Sequence, residues 1–399
     1  MSLRPPASVL AALLLIGSST FALAQQSRAD VLRAERAKKA QNVAPYKAGK
    51  IEKLALLTAQ RESGGKPLGF YPYFGSIQQG GLVAAGIGYR YPFMDTGRLS
   101  VEVAGTPRLY WKVDGKLRVP LAAHGRVRFD GRALILDAPK APFYGIGNDT
   151  PEERSNFRTT PTTLDAVVSA QPADWITVGG GLAYLNMNTG SGKGSDPSVD
   201  EVYAPGSLPG LGSDPTYLVP RVFAELDWRD SDGYATRGGR LLADWQEFSE
   251  RDDLQLSFRR LEFEASHFVP ILRDNWVIGL RAELVTTSTS GDNEVPFFLM
   301  PTLGGSRNLR GFTTFRFRDR NSLVLTAEYR WTPSRVLDMV LFYDVGKVAP
   351  ELEDLDFDDM HDSYGIGGRL HTSDATLIRL ELARSVEGLR FIFGVGANF

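Results

Sequence analysis

The sequence predicts an all-β protein: a transmembrane antiparallel β-barrel preceded by a short N-terminal helical leader. Three observations predict this fold class: an export signal, many segments that alternate apolar and polar residues, and connections that alternate between short and long. Glycine occurs 41 times and aromatic residues make up 11% of the chain, which is typical of many strands joined by tight turns. The chain has 45 basic and 47 acidic residues, and this balance argues against nucleic acid as a partner.

The N-terminus has the three parts of a secretory signal peptide. Arg4 is the positive start, residues 9–16 are the apolar core, and Ala22-Leu23-Ala24 is a small-residue cleavage site. We therefore expect residues 1–24 to be removed on export, so that the mature protein lies outside the cytoplasm.

Residues 25–66 form the predicted leader. The segment is rich in basic helix-forming residues, and Pro45 separates two helical pieces. We interpret it as a solvated periplasmic leader with a short docking helix; a helix that binds acidic lipids is the alternative.

Residues 67–399 form the predicted barrel, because from residue 80 onward the pattern has the period of a β-strand. In residues 321–332 one face is apolar, and the other carries polar side chains such as Glu328 and Arg330. A soluble sandwich also alternates, but opposite charges on the polar face and Tyr and Trp near strand ends favour a barrel. We count fourteen strands, an even number that suits a closed bacterial barrel. They span residues 80–91, 98–113, 116–137, 159–171, 174–188, 217–229, 237–249, 256–270, 274–288, 321–332, 337–348, 362–373, 375–385 and 388–399.

The connections provide a second indication of a membrane barrel. One set is short and includes Asp114-Gly115, 171–174, 333–335 and 373–374; the other is long and includes 138–158, 188–216, 290–320 and 349–361. Outer-membrane barrels have short periplasmic turns and long outer loops. We therefore expect both chain termini in the periplasm and the protein in the outer membrane of a Gram-negative cell.

The last predicted strand is apolar on alternate residues, and the chain stops on Phe399. This ending resembles the C-terminal sorting signal of outer-membrane proteins. An interfacial anchor is the compatible structural interpretation.

Four short motifs carry a family resemblance. They are Leu309-Arg310-Gly311-Phe312, Phe342-Tyr343-Asp344-Val345-Gly346, Gly365-Ile366-Gly367-Gly368-Arg369 and Phe143-Tyr144-Gly145-Ile146-Gly147-Asn148. In combination, over about residues 70–399, they resemble the BamA/TamA superfamily, the bacterial surface antigen family. The resemblance implies sixteen strands rather than fourteen, and a loop that folds back into the lumen so that its arginine meets acidic strand residues.

Alternation within the strands predicts which residues contact the arginine of that loop. Asp344 and Glu328 fall on the polar face, and the guanidinium of Arg310 is suited to a carboxylate. We expect Gly311 to permit a sharp bend and Phe312 to wedge against the inner wall.

The resemblance also implies a function, which is to assist the insertion or translocation of proteins at the outer membrane. We expect a weakly paired seam between a first strand at residues 82–91 and the last strand, made easier to open by Gly86 and Gly88 on one side and Gly394 and Gly396 on the other. The leader is too short for the family's periplasmic polypeptide-binding domains. The alternative is therefore a passive pore or structural barrel without assembly activity.

The expected partners are outer-membrane lipid and lipopolysaccharide, unfolded client proteins and an unidentified periplasmic protein. We expect no enzyme activity, no cofactor and no metal site: the four histidines do not cluster, and the sequence has neither a Gly-x-Ser-x-Gly elbow nor an HExxH motif. The acidic loop at residues 351–362 is interpreted as a solvated loop rather than a divalent cation site.

Overall fold

A computed structural model of the chain describes residues 69–78, 83–271, 275–372 and 375–399. The predicted signal peptide and leader lie outside these residues, as do Gly80 and Gly81. Within the described ranges, no helix is both long enough and apolar enough to cross a membrane.

Sixteen strands form one antiparallel sheet, a nearly closed barrel in which neighbours along the chain are neighbours in the sheet. These strands are β1 (Gly69–Ser76), β2 (Val83–Phe93), β3 (Gly97–Gly105), β4 (Trp111–Ala122), β5 (Val127–Phe143), β6 (Ser155–Ala173), β7 (Ile176–Ser191), β8 (Thr216–Asp227), β9 (Gly238–Glu250), β10 (Phe258–Pro270), β11 (Trp276–Ser288), β14 (Asn321–Ser334), β15 (Leu337–Ala349), β16 (His361–His371), β17 (Thr376–Ser385) and β18 (Gly388–Val395). Two short strands, β12 (Thr302–Leu303) and β13 (Phe317–Arg318), pair with each other between β11 and β14. A short helix, α1 (Val199–Val202), and 3-10 turns at Ala123–Gly125, Phe297–Leu299 and Leu352–Asp354 complete the described elements.

The all-β barrel is confirmed, and its sixteen strands agree with the resemblance rather than with the count of fourteen. One strand missing from that count is β1, which holds Pro72. Proline interrupts a strand pattern, and it is tolerated in β1 because this strand lies at the edge of the sheet.

The other missing strand lies in residues 98–137, which contain three strands rather than two. Asp114-Gly115 was predicted as a turn but lies within β4. The Asp114 carboxylate accepts hydrogen bonds from Arg132 at 2.9 and 3.0 Å, so pairing inside the barrel overrides the local turn preference of Asp-Gly.

Most connections sort by length as predicted; the exceptions are residues 228–237 at one end of the barrel and 386–387 at the other. At one end, which we call the short-turn end, residues 174–175 and 335–336 join neighbouring strands. The opposite end, the long-loop end, carries residues 192–215 and 289–320. Because the sheet has sixteen strands, β1 begins and β18 ends at the short-turn end.

The two faces of the wall differ as alternation requires. On β15, Leu341 and Tyr343 are exposed on the outer face, whereas Asp338 and Asp344 are fully buried on the inner face. Four tryptophans lie at or near the short-turn end, where an aromatic girdle of a membrane barrel is expected. They are Trp175, Trp228, Trp276 and Trp331.

Candidate functional site: the lumen loop and the strand edges

The long connection between β11 and β14 folds back into the barrel. We call its residues 304–318 the lumen loop. Leu309, Arg310 and Phe312 are at most 1% exposed, although they belong to a connection at the end of the barrel where loops usually face water. The loop therefore fills part of the lumen.

The backbone of the lumen loop turns at Leu309. This residue has a φ of +41°, and its carbonyl accepts a hydrogen bond from the Phe312 amide at 2.9 Å. Gly311 lies in the same turn, but its φ is not left-handed; its contribution is a close approach to the wall. A β-carbon at Gly311 would lie 2.6 Å from Cβ of Ser363, so any larger residue would push the loop away.

Arg310 is the centre of the loop's contacts. Its Nε and Nη2 donate to the two carboxylate oxygens of Asp344 at 2.8 and 2.7 Å, and its backbone amide donates to the same group at 3.1 Å. Nη1 donates to Glu328 at 2.8 Å and to Glu381 at 3.4 Å. The guanidinium also lies 3.5 Å from the ring centroid of Phe342. Burial alone would lower the pKa of Arg310, but the charges of Asp344, Glu328 and Glu381 together more than offset that effect, so the pKa is raised and the residue stays charged.

Two further arginines join this group. Arg369 donates to Glu328 at 2.9 and 2.6 Å and to Glu381 at 2.9 Å, and Arg379 donates to Glu381 at 3.2 Å. We call Arg310, Arg369, Arg379, Glu328, Asp344 and Glu381 the lumen ion network. Its three positive and three negative charges balance, as a buried ionic group requires.

An apolar cluster holds the lumen loop on its other side. Phe312 packs edge to face against Phe317 at 5.1 Å, and both belong to one buried apolar cluster with the inward-facing Val324 of β14 and Val348 of β15. The loop is thus fixed to the wall by charge on one side and by apolar burial on the other.

The loop also reaches the hairpin that ends in the last strand. Arg316 forms an ion pair with Glu387 in the turn before β18, and the Thr313 amide donates to the same carboxylate at 3.2 Å. Ser385 Oγ donates to the Gly311 carbonyl at 2.8 Å. These contacts connect the lumen loop to β17 and to the start of β18.

Within the part of the chain that the structure describes, the first and last strands of the sheet each have one unpaired edge. Among the described residues, β1 pairs only with β2 and β18 pairs only with β17. The strand ladder shows no pairing of β1 with β18 within those ranges, so each strand presents an unpaired row of backbone groups.

A second segment enters the lumen from the short-turn end, between β8 and β9. The ring of Tyr234 stacks on His371 at 4.0 Å, and its hydroxyl donates to Asp338 at 3.0 Å. Arg330 donates to the carbonyl of Ala235. Burial, and then the Asp338 charge, raises the pKa of Tyr234 above its ordinary value, so the hydroxyl remains a donor.

Comparison with known proteins identifies the family. Residues 224–399, from β8 to the C-terminus and including the lumen loop, match the Omp85 superfamily domain. These residues carry an Omp85 superfamily domain. This confirms the surface antigen resemblance and identifies the protein as an outer-membrane β-barrel.

One solved structure resembles this barrel in fold, and a second matches it more weakly. BamA from Haemophilus ducreyi lacking POTRA domains 1-3 has a TM-score of 0.60 and 15% identity, covering 82% of this chain and 69% of that one. CdiB from Acinetobacter baumannii has a TM-score of 0.46 and 12% identity, covering 84% of this chain and 58% of that one. No curated protein sequence matches the chain.

In the structure, the loop arginine contacts both of its predicted carboxylate partners and further charged residues that were not predicted. Arg310 contacts both Asp344 and Glu328. Glu381 and Arg369 were not identified from the sequence as partners of the loop. A signal was present for Glu381, which alternates with the apolar Leu380 and Leu382 and so falls on the polar face of its strand. Alternation places a side chain on the inner wall, but only the curvature of the barrel decides which inner side chains meet.

The predicted seam is wrong on its first side. Gly86 and Gly88 lie in β2, which pairs with β1 and with β3, because β1 precedes the strand predicted as the first. A β-carbon at Gly88 would lie 2.2 Å from the Tyr71 ring. The glycine therefore makes room for a side chain of the neighbouring strand.

The other predicted seam residues lie at the last strand. Gly394 faces the Arg379 guanidinium, and Gly396 follows the end of β18. Phe399 does not face lipid as an interfacial anchor: its ring stacks on the inward-facing Phe268 at 5.6 Å. The reason is that β18 ends at Val395 and Gly396 has a φ of +82°, which breaks the alternation.

Proposed function

We propose that this Omp85 barrel assists the insertion or translocation of proteins at the outer membrane. The observation that carries the proposal is that, among the described strands, β1 and β18 each pair along one edge only. An unpaired edge binds an incoming extended segment through backbone hydrogen bonds. A client strand would add to one edge and enter the bilayer with its backbone already paired.

In this proposal the motif Leu309-Arg310-Gly311-Phe312 keeps one flank of the seam rigid. The lumen ion network joins the loop to β14, β15, β16 and β17, and Arg316 extends the attachment to Glu387 before β18. Motion at the seam would then fall mainly on β1, which has eight residues and a proline that cannot donate to a ladder.

The proposed orientation places the short-turn end and both chain termini in the periplasm. Residues 1–24 act as the signal peptide, residues 25–66 as a periplasmic leader, and Phe399 as part of the sorting signal. Partners are outer-membrane lipid and lipopolysaccharide, unfolded clients and a periplasmic protein. The activity is mechanical rather than enzymatic.

A passive pore is the second candidate, and one observation favours it. Inner-face side chains of the strands opposite the lumen loop remain partly exposed, among them Lys116 and Arg132. A hydrated path on this side would conduct ions. Steady conductance with slow hydrogen exchange in β1 and β18 is expected of a pore, and fast exchange there is expected of an insertase.

The proposal is tested by reconstitution into liposomes. We expect the wild type to speed the insertion of a small unfolded outer-membrane protein relative to empty liposomes, and Arg310→Ala to lose this gain. Arg158→Ala is the matched control, because Arg158 also makes a two-pronged contact with a carboxylate, at 2.9 and 2.8 Å to Asp137, but is not part of the lumen ion network. Folding of every variant is checked by circular dichroism.

A cross-link tests the seam directly, since the chain contains no cysteine. Phe70→Cys and Phe391→Cys place outward-facing thiols on β1 and β18, and a bifunctional maleimide bridges them. Ile87→Cys with Val103→Cys, on strands that already pair at these positions, is the control. Insertion that survives the β1–β18 bridge would contradict the proposal.

A further inference from the structure

An arginine cluster lies on the inner wall near the short-turn end, away from the lumen loop. It consists of Arg98 on β3, Arg118 on β4 and Arg128 on β5, together with Asp130 on β5. The strand register places Arg98 directly opposite Arg118, and Arg118 directly opposite Asp130.

The cluster has more positive charge than its own carboxylate can balance. Asp130 accepts from Arg118 Nε at 2.6 Å and from Arg128 Nε at 3.0 Å. In the described part of the chain, no hydrogen bond or ion pair joins Arg98 to a carboxylate, and the groups that act on its charge are Arg90, Arg118, Tyr71 and Asp130. Arg98, Arg118 and Arg128 against one aspartate leave a net charge of about +2 in one place, and like charges directly opposite each other destabilise a sheet.

Two other carboxylates on the inner face of β3 and β4 are already engaged. Glu102 accepts from Tyr71 at 3.0 Å and from Lys112 at 3.3 Å, and Asp114 is held by Arg132. Elsewhere on the inner wall, Arg158 and Arg221 each donate to their own aspartate. Arg98 differs from them because it lies against other arginines.

The arginines remain accessible from the lumen. The Arg118 and Arg128 side chains are 42% and 37% exposed, so a ligand reaches them without displacing the wall. An anion held between low-dielectric walls is attracted more strongly than one on an open surface.

We propose that the arginine cluster binds a phosphate group that enters the lumen at the short-turn end. A phosphate offers oxygens to several guanidinium forks at once and carries enough charge to offset the excess, whereas a carboxylate has two oxygens and one charge. The ligand is therefore a phosphate ion or a phosphate ester. This site is separate from the strand edges and does not depend on protein insertion.

The test is isothermal titration of the refolded full chain in a zwitterionic detergent. Inorganic phosphate, glycerol 3-phosphate and acetate are titrated at matched ionic strength. We expect saturable phosphate binding, and a loss of affinity of about tenfold or more in Arg98→Gln. Lys116→Gln is the matched control: Lys116 lies on the same face two residues from Arg118 but faces Asp114 and Glu102, and its affinity is expected to stay within about twofold of the wild type.

A measurement of the unfolding temperature distinguishes loss of the binding site from misfolding of the variant. Because Arg98→Gln removes a like-charge contact, we expect it to unfold at the same or a higher temperature than the wild type in phosphate-free buffer. Phosphate should raise the unfolding temperature of the wild type and of Lys116→Gln, but not that of Arg98→Gln.

The three titrants separate the sources of the phosphate group. Tighter binding of glycerol 3-phosphate would indicate a phosphate ester of a larger molecule, and tighter binding of inorganic phosphate would indicate the free ion. Equal binding of acetate and phosphate, or equal phosphate binding by the wild type and Arg98→Gln, would overturn the proposal.

Discussion

The two halves of the barrel wall use the same pairing of arginine with carboxylate in opposite surroundings. In the C-terminal half, Arg310 and Asp344 are 0% exposed because the lumen loop covers them. In the N-terminal half, the inner-face side chains of Lys116, Arg132 and Arg221 are 47%, 45% and 34% exposed. We call the first the covered half and the second the open half.

The comparison shows that coverage by the lumen loop, rather than the strands themselves, decides how much an ion pair contributes to stability. Water screens a pair in the open half, so its contribution to stability is small. In the covered half, each charge has lost its water and depends on its partners, so removal of one partner leaves an uncompensated buried charge. The covered half is therefore suited to fix a loop, and the open half to admit ions or ligands.

The largest effect is expected at the centre of the covered half. Arg310→Ala leaves Asp344 buried without its main donor and removes one of the two arginines that donate to Glu328, so we expect the free energy of unfolding to fall by about 3–5 kcal/mol. Urea unfolding in lipid vesicles measures this change. The double variant Arg310→Ala with Asp344→Asn should lose less than the sum of the two single variants, and simple additivity would contradict a shared network.

A smaller loss is expected at the edge of the same network. Glu381→Gln keeps the shape of the side chain but removes the charge that Arg369 and Arg379 share. We expect a loss of about 1.5–3 kcal/mol in the same unfolding assay. Glu247→Gln is the matched control, because Glu247 contacts Arg259 at 3.5 Å on an exposed surface. An equal loss of unfolding free energy in this variant would contradict the distinction between covered and exposed ion pairs.

The segment that enters from the short-turn end is expected to have an intermediate effect. Tyr234→Phe removes one hydroxyl that donates to buried Asp338, with an expected cost of about 1 kcal/mol below pH 9. The raised pKa of Tyr234 adds a dependence on pH. The unfolded tyrosine ionises near pH 10 while the folded one stays protonated, so wild-type stability falls as pH rises above that value. Unfolding curves from pH 8 to pH 11 should show a steeper alkaline loss in the wild type than in Tyr234→Phe.

The smallest effect is expected in the open half. Arg158 is 41% exposed beside Asp137, so Arg158→Ala should cost about 0–1 kcal/mol, and added salt should reduce that cost. A loss as large as that of Arg310→Ala would show that exposure does not separate the two halves.

The sequence by itself determined the fold class, the two faces of each strand and the sorting of connections by length. A period of two places Glu328 and Asp344 on one face whatever the rest of the chain does. The short motifs around Arg310 then pointed to the superfamily. These properties are local, so they can be read from neighbouring residues.

Only the tertiary structure decided which inner side chains meet and where the sheet begins and ends. Asp114-Gly115 is a good turn by local preference, but Arg132 on the next strand holds Asp114 inside β4. Gly88 leaves room for the Tyr71 ring of β1, a strand that the sequence pattern did not reveal. Arg369 and Glu381 joined Arg310 because the closing curve of the wall brings β14 to β17 around one loop. Such contacts join residues up to 71 positions apart, and a local pattern cannot specify them.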